Sequence, residues 1–293
     1  MRVHRLTLFL ATLVAIAAGA TAGVALGSRS GSSPIEQAAA KSATATSFKF
    51  DFSLAITGGG SSIPGGKIAL GGTGAIDVKS KAADFKLDLG SLAALLGAAT
   101  KGAPVPKSIE VVFVNNVVYV DFPALAKQLG KAGKGKEWVK FDISALPKSA
   151  TGGINPKSVG TVTPKQALAA LKSALKVSKV GSDQYGTHYH ADFDLASLTT
   201  LVPKAQQATT RASLAKAGLK TIPIDVWVGK AGYLRRFVAS IAVKAQKTSP
   251  AVKLAITVNL HDYGAAVHVS APPASKTADG SKLLSGLSGL AGG

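Results

Sequence analysis

The chain has 293 residues, 46% hydrophobic and only 6% aromatic, enough to bury a substantial core in one medium-sized domain with appendages. It contains no cysteine, which excludes disulfides, zinc–thiolate sites, thiol nucleophiles and lipidation on an N-terminal cysteine. Its formal charge of +19, from 34 Lys+Arg against 15 Asp+Glu, makes a surface that attracts anionic polymers, membrane phosphates or nucleic acid without specificity.

Arg2 and Arg5 precede an uncharged apolar run over 6–26, with Ala20-Thr21-Ala22 as a small-residue cleavage site. That pattern predicts an exported chain, with residues 1–26 acting as a signal peptide or as an uncleaved membrane anchor. Export lowers the nucleic-acid reading, although the chain after residue 26 keeps +17 (19 minus Arg2 and Arg5). Residues 27–46 are small, polar and aperiodic, and read as a flexible tether.

The pattern then changes to period two. Phe48, Phe50, Phe52, Leu54 and Ile56 alternate with Lys49, Asp51 and Ser53, as in a strand with one buried face. Further strands are predicted at 67–80 and 84–89, with a short helix at 91–100. Two β-branched runs flank Asn115-Asn116, a pair suited to positive φ, and predict a hairpin over 109–122. Another strand follows at 138–143, and a helix capped by Thr163-Pro164 covers 167–175. Residues 176–180 and 187–195 form a second hairpin around 181–186, and 202–218 is helical. Alternation at Ile222/Ile224/Val226/Val228, Phe237/Ala239/Ile241/Val243 and Leu254/Ile256/Val258/Leu260 predicts an antiparallel meander, before a Ser/Gly/Lys-rich tail that is disordered over 276–293.

A short pattern recurs in FKLDLGSLAAL (85–95), VKFDISALPKS (139–149) and ADFDLASLTTL (191–201). Each is a strand ending in aspartate, and three copies suit a structural corner at Asp88, Asp142 and Asp194 better than catalysis. About ten one-sided strands with few small-residue helices predict an α+β, mainly antiparallel fold: one large curved sheet over residues 47–275, with an apolar cavity.

Site chemistry is sparse. GKAGKGK (130–136) satisfies GxxxxGK, but Glu137 stands where Ser or Thr is required, and a strand follows instead of a helix. It reads as a basic loop that, with Lys127 and Lys140, suits anionic headgroups. No GxSxG or HExxH occurs, and no cofactor is implied. THYHADFDL (187–195) places His188, His190, Asp192 and Asp194 on one strand face, types acceptable to zinc or nickel. The simpler reading is the polar face of a half-buried strand, with Tyr189, Ala191, Phe193 and Leu195 on its apolar side.

Four segments carry a family resemblance: VVFVNNVVYVDFPALAKQLGKAGKGKEWVKFDIS, KVSKVGSDQYGTHYHADFDLASL, IPIDVWVGKAGYLRRF and VNLHDYGAAVHVSAPPAS. Over about 46–275 the chain resembles the actinobacterial LppX/LprG-type lipoproteins, with their LolA/LolB-like fold. The resemblance implies a half-open barrel that holds a lipid or glycolipid in envelope lipid trafficking. The chain departs from the family at the lipobox, where 24–28 reads VALGS.

The expectation is therefore a non-enzymatic, exported lipid-binding protein at the extracytoplasmic membrane face. Its expected apolar wall is Phe48, Phe50, Phe52, Phe85, Leu87, Val111, Phe113, Tyr189, Phe193, Ile224, Val226, Ile256 and Val258. Expected partners are a lipid or glycolipid and the membrane surface, with no nucleic acid. Two alternatives stand beside it: a packed structural or adaptor module with a basic surface, and a metal-dependent enzyme centred on His188 and His190.

Overall fold

The computed structural model describes residues 33–59, 66–90, 106–142, 174–194, 199, 207–208, 211–212, 220–243, 245 and 250–281. Residues 1–26, the helix expected at 91–100, Leu195 and most of 167–175 and 202–218 lie outside them. The chain divides into two compact units, one comprising residues 1–45 and 158–263, the other 46–157 and 264–293. Among the described residues the fold is mainly antiparallel β with few helices, and no helix is long and apolar enough to cross a membrane.

In the second unit the strands are β1 (Ser47–Gly58), β2 (Lys67–Asp77), β3 (Ala82–Asp88), β4 (Ser108–Val114), β5 (Val117–Asp121), β6 (Trp138–Asp142) and β12 (Thr277–Asp279). They lie in the order β12-β6-β5-β4-β3-β2-β1, antiparallel except for β12 on β6. Register alone fixes which residues share a face. Phe50 faces Gly74, Gly74 faces Phe85, Phe85 faces Val111, Val111 faces Val120 and Val120 faces Val139. Paired residues point the same way, so one apolar side runs continuously across these six strands. The β4–β5 turn is the one expected, with Asn115 and Asn116 at φ 54° and 63°.

The first unit holds β7 (Ala174–Asp183), β8 (Gly186–Asp194), β9 (Thr221–Val228), β10 (Leu234–Val243) and β11 (Val252–His261), each antiparallel to the next. Its apolar side aligns Tyr189, Val226, Phe237 and Val258 in one row and Ala191, Ile224, Ala239 and Ile256 in the next. Ala174 and Leu175, expected to end a helix over 167–175, belong to β7, and the rest of that expected helix lies outside the described residues.

Two readings are corrected. The tether expected over 27–46 contains a helix, α1 (Pro34–Ser42). Ser33 caps it by accepting from the Glu36 amide at 3.2 Å, proline stands in the first turn, Glu36 lies near the N-terminus and Lys41 near the C-terminus. Ile35, Ala38, Ala39 and Ser42 recur at helical spacing and are buried, with α1 packed on β9 and β10. The small residues that made the segment look like linker are the ones that let a helix lie close to a sheet.

The disordered tail expected over 276–293 begins instead with β12. The Glu137 amide donates to the Lys276 carbonyl at 3.0 Å, the Gly280 amide donates to the Lys140 carbonyl at 2.9 Å, and Ala278 is buried beside Val139. Three residues without an alternating pattern carry no strand signal; the edge of β6 supplies it.

Candidate functional site

The expected wall residues fall into two groups that the register brings together separately. In the second unit Phe48, Phe50 and Phe52 form a row with ring centroids 6.3 and 6.4 Å apart, and Phe50 lies 5.7 Å from Phe85. Leu87, Val111 and Phe113 continue the same face. The middle of the strand opposite β1 is bare, with Gly72 facing Phe52 and Gly74 facing Phe50 between Leu70 and Ile76. A Cβ on Gly74 would stand 2.6 Å from Phe50 Cζ, and one on Gly72 would stand 2.9 Å from Phe52 Cε1. The rings thus lie across the glycines and cover backbone that no side chain shields.

Cover is uneven along this face. Phe48, Phe50 and Phe52 at one end and Val139 at the other are buried. Phe85, Leu87, Val111 and Phe113 on the central strands β3 and β4 are only half-buried, as are Leu70 and Ile76 of β2 and Val118 and Val120 of β5 on the same face, while the small Ala83 of β3 is buried. In a sheet with a uniformly packed face the central strands are normally the best covered. In the first unit Phe193, Val226, Ile256 and Val258 are buried, while Tyr189 and Ile224 are half-buried.

The opposite side of the first unit holds the two histidines. His188 Nε2 and His190 Nδ1 both contact the same oxygen, Asp225 Oδ1, at 2.9 and 3.0 Å. His188 stacks on Trp227 at 4.1 Å with ring planes 4° apart, and Trp227 Nε1 donates to Asp183 Oδ2 at 2.8 Å. Arg236 completes the pile, 5.5 Å over Trp227 and 4.5 Å over Tyr185. Sequence reading placed Asp192 and Asp194 with the histidines but missed Asp225 and Trp227. The signal was the alternation in IPIDVWV; what hid it was the 26-residue gap (195–220) between the paired strands β8 and β9.

This cluster is polar surface tied together, with its central carboxylate committed to two imidazoles. Among the described residues no group of three or more His, Cys, Asp or Glu side chains is arranged to hold a metal ion. Burial pushes Asp225 up, but hydrogen bonds from His190 and His188 outweigh it and hold the carboxyl below its ordinary 3.8. A depressed folded-state value adds stability above the ordinary carboxylate pKa and loses it as the pH falls through the folded value. The stability difference between the wild type and Asp225→Asn, measured by urea denaturation, is therefore expected to shrink as the pH falls from about 5 toward 2.

A cleft of about 630 Å³ opens at the hairpin end of the first unit, lined by Asp183, Tyr185, Lys230, Tyr233, Arg235 and Tyr263 among others. Tyr233 and Tyr263 stack at 4.6 Å, Lys41 lies 5.0 Å over Tyr233, and the Tyr263 hydroxyl donates to the Leu234 carbonyl at 2.7 Å. Burial raises the Tyr263 hydroxyl far above its ordinary pKa, so it stays a donor. The Leu234 amide donates to buried Ser42 Oγ at 2.9 Å, joining α1 to the same network.

Of the recurrent corner aspartates, Asp88 accepts from the Gly90 amide at 2.9 Å, a turn-forming contact as expected.

No family model matches the chain. It is similar over 199 residues, at 28% identity, to an uncharacterized 31.2 kDa protein in the rplA-rplJ intergenic region of Streptomyces griseus. The match takes in 64% of this chain and 62% of that relative, so the chain spans less than two thirds of the relative's length.

Proposed function

We propose that the chain is an exported, envelope-associated carrier that sequesters a lipid or glycolipid against an apolar sheet face, without catalysis. On this reading the strands form a single curved half-barrel of the LolA kind, and the apolar run over 6–26 directs the chain across the membrane or holds it there. The observation that carries the reading is the dip in cover from β2 to β5, where Phe85, Leu87, Val111 and Phe113 stay half-buried on a continuous apolar face. An acyl chain laid along that dip removes the remaining apolar surface from water. Each buried methylene stabilises the complex by about 0.8 kcal/mol, so affinity needs no polar contact.

Native mass spectrometry of the gently purified full chain tests this. The expected result is co-purifying lipid that is lost from Leu87→Asp and Phe113→Asp variants. Ligand-free wild-type protein with the dip filled by its own side chains would sink the reading. It would favour the second one, a packed structural or adaptor module, which draws support from the close seating of Phe50 and Phe52 on Gly74 and Gly72.

A further inference from the structure

The basic loop singled out in the sequence has a fixed shape. The short helix α2 (Pro123–Lys127) is followed by a 3₁₀ turn over Gly130–Gly133. The Leu129 amide donates to the Ala126 carbonyl at 3.0 Å, and the Lys136 amide donates to the Gly133 carbonyl at 3.1 Å. Gly130 and Gly135 take φ of 62° and 72°, and Gly133 packs so tightly on Ala126 that a Cβ there would strike its carbonyl oxygen. Together these turns frame an open surface hollow of about 430 Å³ lined by Lys127, Lys131, Lys134 and Lys136 with three glycines.

Among the described residues no carboxylate lines the hollow. The adjacent Glu137 is taken by Lys276, whose Nζ donates to its two oxygens at 3.3 and 3.2 Å. Lys136 Nζ is tied to the Ser275 carbonyl at 2.6 Å. Lys127, Lys131 and Lys134 are exposed, and among the described residues none of them meets an acidic partner. Three uncommitted ammonium groups around one rigid concavity repel one another, and the repulsion is relieved by a multiply charged anion with several acceptor oxygens.

We propose that this hollow is a binding site for a phosphoryl group. The recognition differs from that of a nucleotide loop: β6 follows where a helix N-terminus would stand, so lysine side chains rather than aligned amides supply the positive charge. The site stands in the second unit alone and does not depend on any apolar ligand. One chemistry admits two sources, a free phosphate compound or an anionic phospholipid headgroup.

The full chain is titrated with inorganic phosphate and pyrophosphate by calorimetry. It is also co-sedimented with phosphatidylcholine vesicles with and without phosphatidylglycerol. The triple variant K127Q/K131Q/K134Q is compared with K86Q/K179Q/K253Q, which removes the same charge from exposed positions elsewhere. Any contribution of the apolar N-terminal run to vesicle binding is common to both variants. For a headgroup source, the loop triple loses roughly a hundredfold of its partitioning to anionic vesicles, at about tenfold or less for the control. For a free source, the calorimetric signal disappears in the loop triple and persists in the control. Single K131Q and K134Q variants, checked for an unchanged melting temperature, show partial losses of the same kind. Equal losses in both triples, or no binding of any probe by the wild type, would overturn the proposal.

Discussion

Replacing Phe48 by alanine is expected to cost about 3–5 kcal/mol of folding free energy, read as a lower urea midpoint with little change in slope. Phe48 is fully buried, lies 6.3 Å from Phe50 with the ring planes tilted at 43°, and faces Ile76 across the β1–β2 ladder. Truncation removes the transfer free energy of the ring and leaves a cavity that β-sheet backbone cannot easily close. Phe85→Ala, on the same face but half-buried, is expected to cost clearly less. The pair separates packing from ligand contact: a residue that mainly meets a bound lipid loses occupancy when truncated, and one that mainly meets protein loses stability.

Gly74→Val is expected to destabilise by an amount at the upper end of about 1–3 kcal/mol, although valine is the better strand former. The new Cβ meets Phe50 Cζ at 2.6 Å and the Asp84 carbonyl oxygen at 2.8 Å. The ring can swing away, but the carbonyl belongs to the β2–β3 ladder and cannot. Phe50→Ala in the same chain is therefore expected to recover only part of the loss. A double-mutant cycle in urea measures that coupling, and full additivity would show that ring and glycine do not touch.

The parts of the fold legible in the sequence were those written as alternation. β1 and the meander β9–β11 stand where period two places them, and the hairpin stands where two β-branched runs flank Asn115-Asn116. The glycines of β2 blur that signal. They make sense only once Phe50 and Phe52 are seen lying across them, a cross-strand relation that no single segment contains. α1 was missed for a different reason: its apolar stripe is mostly alanine, too weak in hydrophobicity to outweigh its Ser/Gly-rich surroundings, although its cap was written in Ser33, Pro34 and Glu36.

The candidate sites divide along the same line. Which residues share the apolar face follows from parity, so in each unit the residues named for the wall point to one side of the sheet. How well each one is covered depends on elements distant in sequence, and so the dip from β2 to β5 was not readable. The partnership of Asp225 with His188 and His190 likewise required the register of two strands far apart in the chain.

The three-residue strand β12 has a consequence for how the molecule behaves in a crowded compartment. A strand edge is a template for any other strand, and the β6 edge carries Val139 and Phe141. β12 occupies that edge and then stops after Asp279, with charged Lys276 and Asp279 facing Glu137 and Lys140 of the β6 segment. At the end of the other strand order, β7 is broken by two register shifts and carries exposed Lys176 and Lys179. Each of these ends refuses a further strand, one by brevity and one by irregularity and charge. A protein so rich in long apolar strands can in this way remain a discrete particle rather than seed a fibre.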